Sequence, residues 1–375
     1  MNGLDTAIRE ADAAAYVVYA SSQDANMRYL TRFRTTDPVV YIRKPGERGT
    51  LIVPQMEYER AVRESPAAVI TRSDAGLLDF IKEGDSRMRA TARMIAGQAG
   101  GPVLVPAQFP LGLARELEAF CPVLLDAGTV ESMRAVKTSD EMDRIRTVQR
   151  AAEQAIDLAV TLIRKSRGNG GILVLDGEPL TSERVKTEMH RFLFGAGCRA
   201  VDTIVSCGGD TALPHHAGSG PLQEDEPIVI DIFPQDEASG YHADMTRTVV
   251  KGEAAAEIIE MHRAVREAKA LGESMLRPGV SGAEVYQRVV DFFGEQGYES
   301  TTEGFLHSLG HGIGLEVHER PFLGPQGETL SAGNVVTVEP GLYYRGIGGV
   351  RIEDLGALDG QGFRRFTRYG EELLI

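Results

Sequence analysis

The sequence predicts an α+β protein in two parts, a smaller α/β domain over residues 1–128 and a larger α+β domain over 129–375. Three observations carry this. A chain of 375 residues is long enough for about two domains. Up to Asp126, strand-like apolar runs alternate with helix-like segments, the pattern of an α/β layer. Beyond it, long amphipathic helices mix with strands that do not alternate with them.

In the first part, 15–20 (AYVVYA), 39–43 (VVYIR), 50–54 (TLIVP), 102–106 (PVLVP) and 122–126 (PVLLD) read as strands. Segments near 4–12, 55–64 and 107–120 read as helices. Asp126-Ala-Gly128-Thr129 reads as a hinge. Thr138-x-x-Glu141 then has the form of a capping box. Met142, Ile145, Val148, Ala152, Ile156, Ala159 and Ile163 follow at helical spacing, so 139–164 is expected to be one long helix. Lys165 to Gly177 is Gly-rich and reads as a loop or hairpin. Thr181 to Phe194 is a second helix, stopped by Gly195 and Gly197. Ala254 to Met275 is a third, and Ser281-x-x-Glu284 opens a fourth that runs to Gly297. Strands are expected at 227–233 (PIVIDIF), 246–250 (TRTVV), 334–340 (NVVTVEP) and 349–355 (GVRIEDL).

Composition excludes several function classes. With 42 % hydrophobic and 25 % charged residues the chain is globular, neither disordered nor fibrous. No run of 18 apolar residues is present, so no membrane-spanning helix is expected, and MNGLDTAIRE lacks the basic-then-apolar pattern of a signal peptide. Cys121, Cys198 and Cys207 form no CxxC, which argues against a disulfide scaffold and fits a reducing cytoplasm. The net charge of −14 is uneven. Residues 1–130 carry 15 Lys/Arg against 16 Asp/Glu, and 131–375 carry 25 against 38. Such a chain is a poor partner for nucleic acid or an anionic membrane. The simple reading of the acidic excess is a solvated face; the sharper one is that some of these carboxylates hold cations.

Seven of the eight histidines lie between His215 and His318, a clustering that points to a site. Asp231 lies at the end of the apolar run VIDIF, where a carboxylate is costly to bury unless paired or bound to a cation. Asp244 follows after PQDEASGYHA and begins DMTRTVV, so a hairpin would bring the two side by side. By itself that pair reads more simply as a salt-bridged hairpin. His307, His311 and His318 fall within HSLGHGIGLEVHE, where Gly310, Gly312 and Gly314 permit close backbone approach around His311. Glu339 ends VVTVE and Glu353 lies in GGVRIEDL; either is open to pairing with Arg351. Together, Asp231, Asp244, His311, Glu339 and Glu353 cannot share a pocket uncompensated, because like charges raise one another's pKa. Two divalent cations would neutralise the four carboxylates, and oxygen-rich ligation with one imidazole suits Mn, Co, Zn or Fe. Two such ions about 3.5–4 Å apart can hold a hydroxide between them and polarise a carbonyl, which implies hydrolysis.

These segments closely resemble the pita-bread metallopeptidases, the family of methionine aminopeptidase, aminopeptidase P and prolidase. The resemblance runs in order through MRAVKTSDEMDRI, IVSCGGDTALPHH, VIDIF, GYHADMTRT, HSLGHGIGLEVHE, VTVEPGLY and GGVRIEDL. DANMRYLTRF is similar to the smaller domain of the Xaa-Pro and creatinase branch, which methionine aminopeptidases generally lack. The resemblance implies a pita-bread catalytic domain behind a creatinase-like α/β domain. It implies a dinuclear, metal-dependent peptidase that cleaves the Xaa-Pro bond of dipeptides or short peptides by a metal-bridged hydroxide, with manganese the expected metal and a homodimer the expected assembly.

The resemblance also implies roles. Asp231 would chelate one metal, Asp244 and Glu353 would bridge both, and His311 and Glu339 would complete the other. Glu339 would also shuttle the water's proton. His215 matches a histidine near the scissile bond, and His318 one that steadies the substrate carbonyl, a contact worth roughly 3 kcal/mol in comparable sites. His307 and Arg351 match residues on the proline side. Thr246 is the expected partner of a bridging carboxylate. Two departures stand out. The Asp231–Asp244 hairpin is about two residues longer than usual. And Phe322 stands where archaeal-type prolidases carry the arginine that grips a dipeptide carboxylate, with Arg320 two residues earlier. A creatinase-like amide hydrolase and a non-catalytic module on the same fold are the competing readings. Cys207 near ALPHH reads as a small buried hydrophobe rather than a nucleophile.

Overall fold

A computed structural model describes residues 3–375 and divides into two compact units between Arg134 and Ala135. The break lies beyond the expected boundary at Gly128 and Thr129. The helix Thr129–Ala135 is capped by Asp126, which accepts from Thr129 N at 2.8 Å, and its Val130 is fully buried in the core of the first unit.

The first unit is a six-stranded mixed sheet. Its order is Ala68–Thr71, Thr50–Val53, Val39–Arg43, Ala15–Ala20, Val103–Val105, Val123–Leu125. Side chains alternate across a strand, so Ala15 and Val17 enter one apolar cluster while Tyr16 and Val18 enter another. All five expected strands form. The Ala68–Thr71 strand and the helices Ala25–Thr31, Leu77–Lys82 and Arg87–Ala99 were not expected. Arg87–Ala99 buries mainly Ala90, Ala92 and Ala99 with Met94 and Ile95, a stripe too small in side-chain volume to stand out as periodic.

The second unit repeats one plan. The long helix Ser139–Lys165 and the helix Ser182–Gly195 precede an antiparallel sheet of Ile204–Cys207, Pro227–Ile232 and Met245–Val250. Then Ala256–Met275 and Gly282–Glu295 precede a five-stranded antiparallel sheet. Its order is Glu319–Leu323, Gly310–Gly312, Val335–Val338, Asp354–Asp359, Gly362–Arg365. Thr181 and Ser281 cap the two shorter helices, whose buried Val185, Met189 and Leu193 answer Val285, Val289 and Phe293 at positions one hundred apart. The repeat is more one of burial than of residue identity, and its period of one hundred residues is too long to show as a short repeat. The Thr138–Glu141 capping box is present, with Thr138 N donating to Glu141 at 2.8 Å. The Gly-rich stretch is a hairpin of Arg167–Asn169 and Ile172–Leu175.

One strand expectation is corrected. The run 349–355 is not continuous: Gly348–Arg351 pairs with Gly341–Tyr344, and Asp354–Asp359 pairs with Val335–Val338. The chain changes sheet at Ile352 and Glu353, where Glu353 N donates to Thr246 O. That crossing sets the Glu353 side chain against the Asp231–Asp244 hairpin.

Candidate metal centre and substrate site

The hairpin Pro227–Ile232 and Met245–Val250 pairs Asp231 with Thr246. Directly opposed residues share a face, and Asp244 is two residues from Thr246, so Asp231, Thr246 and Asp244 project together. His311 lies in Gly310–Gly312, and its N–H donates to Thr337 Oγ1 at 3.0 Å. Thr337 and Glu339 are two apart on VVTVE, and Thr337 Oγ1 also donates to Glu339 Oε1 at 3.3 Å. Glu353 enters from the crossing and accepts from Thr246 Oγ1 at 2.9 Å. The five expected ligands thus converge from five stretches of chain.

His311 Nδ1 donates to Gly312 O at 3.1 Å, which turns Nε2 towards the acids, as a donor to Glu339 when the ring is protonated and as a lone pair for a metal when it is neutral. Nε2 is 3.1 Å from Glu339 Oε1 and 3.7 Å from Asp244 Oδ2. Asp244, His311 and Glu353 each offer one ligand atom, all within 4.8 Å of one another. Asp231 Oδ1 and Glu353 Oε1 are buried without a hydrogen-bond partner. An orphaned buried carboxylate oxygen is a strong desolvation cost, and a hard cation removes it.

Electrostatics gives the same result. Burial, and then the charge of Asp231, push the Asp244 carboxyl well above its usual range. Burial and then the charge of Asp244 do the same to Glu353. Asp231 is raised by burial, against the opposing charge of Arg351. Burial would also raise Glu339, but the hydrogen bond and charge of His311 draw it down to about 2. Burial would lower His311, yet the Glu339 hydrogen bond and the Glu339 and Asp244 charges lift it to about 9. The cluster recruits positive charge wherever it can, which is what divalent cations supply.

Arg351, an open partner for Glu339 or Glu353, pairs with Asp231 instead, Nη2 to Oδ2 at 2.6 Å. Its remaining donors go to Thr246 Oγ1 (3.2 Å), Tyr343 OH (2.7 Å) and Pro214 O (3.2 Å). Tyr343 OH in turn reaches His307 Nε2 at 3.0 Å, while His307 Nδ1 contacts Ser308 O at 2.8 Å. Because that Nδ1 donates to a carbonyl, Nε2 accepts from Tyr343. His215 and His318 are exposed, His307 half-buried. The His318 ring meets the His311 ring edge-on at 4.3 Å between centroids. His216 Nδ1 accepts from Gly218 N, within its own turn. Cys207 Sγ accepts from Gln223 N, and burial pushes its thiol up to about 11, which makes it a poor nucleophile at neutral pH.

Phe322 pairs with His311 across the strands Gly310–Gly312 and Glu319–Leu323, so its half-exposed ring lies on the His311 face. Arg320 is ion-paired to Glu328 at 3.1 Å. Sequence reasoning missed Tyr343 and Thr337. Thr337 had a signal, since it alternates with Glu339 on one strand face; Tyr343 had none.

The chain matches the model of metallopeptidase family M24 over residues 143–358 and that of the creatinase/prolidase N-terminal domain over 1–136. It is 31 % identical over 340 residues to the Xaa-Pro dipeptidase of Pyrococcus horikoshii, covering 89 % of this chain and 88 % of that one. Among solved structures, it is similar to an Xaa-Pro dipeptidase from Bacillus anthracis, with TM-score 0.84, 25 % identity and coverage of 100 % and 98 %. It is also similar to an X-Pro aminopeptidase from Thermotoga maritima, with TM-score 0.81, 25 % identity and coverage of 99 % and 100 %.

Proposed function

The chain belongs to metallopeptidase family M24, with the pita-bread catalytic domain behind a creatinase/prolidase N-terminal domain, and on that premise we propose that it hydrolyses the Xaa-Pro bond of dipeptides and short peptides. The observation that carries the reading is the buried acid cluster with its two orphaned oxygens, Asp231 Oδ1 and Glu353 Oε1.

Asp231, Asp244, His311, Glu339 and Glu353 would hold two divalent cations, manganese first among Mn, Co, Zn and Fe because four of five donors are carboxylates. Such cations acidify water and polarise a carbonyl. The other steps belong to the chain's own groups. Glu339, half-buried at the mouth of the cluster, takes the proton of the attacking water and returns it to the departing prolyl nitrogen. Like any amide nitrogen it must be protonated to leave as an amine, and as proline's it offers no N–H for the site to hold. His318 donates to the substrate carbonyl oxygen as charge builds there. His215 holds the residue before the scissile bond, and His307 lines the proline side. Arg351 is 3 % exposed, with donors committed to Asp231, Thr246, Tyr343 and Pro214. It therefore acts on the proline side through Tyr343 and His307, and holds Asp231 in place.

The resemblance to two-domain prolidases supports a homodimer. Three free cysteines support a reducing, cytoplasmic setting, and no helix among the described residues is long and apolar enough to cross a membrane. The test is a panel of Ala-Pro, Ala-Pro-Ala and Ala-Ala, with and without added Mn, alongside metal analysis. Cleavage of the proline peptides alone, dependent on metal, is expected. Equal cleavage of Ala-Ala, or none of Ala-Pro, overturns the reading.

A further inference from the structure

Lys137 and Glu319 are 182 residues apart and form an ion pair, Nζ to Oε1 at 2.7 Å, with side chains 1 % and 5 % exposed. A buried ion pair of this kind is poor at stabilising a fold, since apolar side chains of similar volume do as well or better. It does fix geometry, and the geometry here is specific. Glu319 directly follows His318 and opens the strand Glu319–Leu323. Its carboxylate lies where a Cβ on Gly314 would stand, so residues 314 and 319 touch and close the base of the loop that carries His318. The strand register slips at this place: His311 pairs with Phe322, but Gly312 pairs with Glu319. Lys137 is a fixed post, because its N–H donates to Gly333 O at 2.9 Å and its neighbour Val136 bridges to Asn334. One cation therefore locks the turn that sets the His318 ring against His311, 4.3 Å away.

We infer that Lys137 and Glu319 are a positioning pair for His318, holding its imidazole where it meets the substrate carbonyl; this rests on the reading of His318 given above. The pair touches no substrate and no reacting atom. It acts through the loop base that carries His318.

The test compares Glu319→Met, Lys137→Met and the double variant, each metal-loaded, on Ala-Pro. Each single change strands a polar or charged group in the core and lowers the melting temperature. The double change removes both and recovers it. The expected result for the double variant is a near-normal melting temperature and full metal content. Its KM stays within twofold, with kcat down about tenfold. In a His318→Ala background the double change costs no further kcat, as coupled residues require. A double variant with kcat within twofold of the parent, or one that loses the same tenfold without His318, overturns the inference. If the parent does not cleave Ala-Pro, the functional reading fails, and the pair is judged by the His318 ring resonances of the zinc-loaded protein. Those resonances are identified by their loss in His318→Ala. They shift and broaden in the double variant if the pair positions the ring, and stay in place if it does not.

Discussion

The Arg351 guanidinium donates to the Asp231 carboxylate at 2.6 Å, with the two side chains 3 % and 12 % exposed. A candidate ligand carboxylate is thus held by a cation on one oxygen while its other oxygen is buried without a partner. Removing the cation leaves an uncompensated buried charge. We expect Arg351→Met to weaken metal binding or activity by roughly 10–100-fold, the usual cost of losing a group that orients a ligand. Arg351→Lys should rescue little, because an ammonium cannot span Asp231, Thr246, Tyr343 and Pro214 as the planar fork does. Metal titration and kcat/KM on the three proteins check this; a fully active Lys variant would contradict it.

Asp244 and Glu353 are expected to contact both metals. Asp244→Ala or Glu353→Ala should therefore lose metal and turnover together, to well under one metal per chain. Elemental analysis beside the assay decides it. Two metals per chain with normal turnover in either variant refutes the bridging assignment.

Exhaustive chelation should abolish activity, and a divalent transition metal should restore it. Cys207→Ser should stay within about twofold of the parent, since the thiol is held protonated by burial. Loss of activity in that variant at full metal loading would point to a cysteine nucleophile instead.

Phe322 occupies the position where the resemblance to archaeal-type prolidases leads one to expect a carboxylate-gripping arginine, and Arg320 is committed to Glu328. Arg351 is equally committed to Asp231 and Tyr343. Neither arginine is left free to close the site behind the proline, so Ala-Pro-Ala should be cleaved at a rate comparable with Ala-Pro. Phe322→Arg should shift preference towards the dipeptide. A dipeptide preference above roughly a hundredfold in the parent, nearly 3 kcal/mol, is the outcome that defeats this expectation.

His262 is buried in the helix Ala256–Met275, away from the acid cluster in sequence. Burial, and then the charge of Arg266, lower its pKa to about 4. The unfolded chain, with an ordinary histidine pKa of about 6.5, binds more protons between those values, so stability falls as pH drops from about 6.5 towards 4. The full shift corresponds to roughly 3 kcal/mol. Urea unfolding of the parent and His262→Gln at pH 7 and pH 5 should show the steeper loss in the parent. Equal losses would mean that His262 is not buried in its neutral form.

The sequence by itself determined the two-part α+β plan, the long capped helix, five strands of the first part and three of the four expected in the second, and the acids embedded in them. These are local properties: Thr138 and Glu141 satisfy each other three residues apart, and a β-branched run such as VVTV favours a strand whatever lies beside it. The candidate acids stood out for a related reason, since a carboxylate in an apolar strand is conspicuous wherever the strand goes. Tertiary structure decided the rest. Which acid Arg351 meets depends on the crossing at Ile352 and Glu353, where one apparent strand divides between two sheets. The Lys137–Glu319 clamp joins residues 182 positions apart, and the Arg351–Tyr343–His307 chain joins a strand to a loop. Neither has a periodicity. A buried polar group selects its partner only after the surrounding sheets have excluded water, so the pairing is a product of the packed core and is not written in the local sequence.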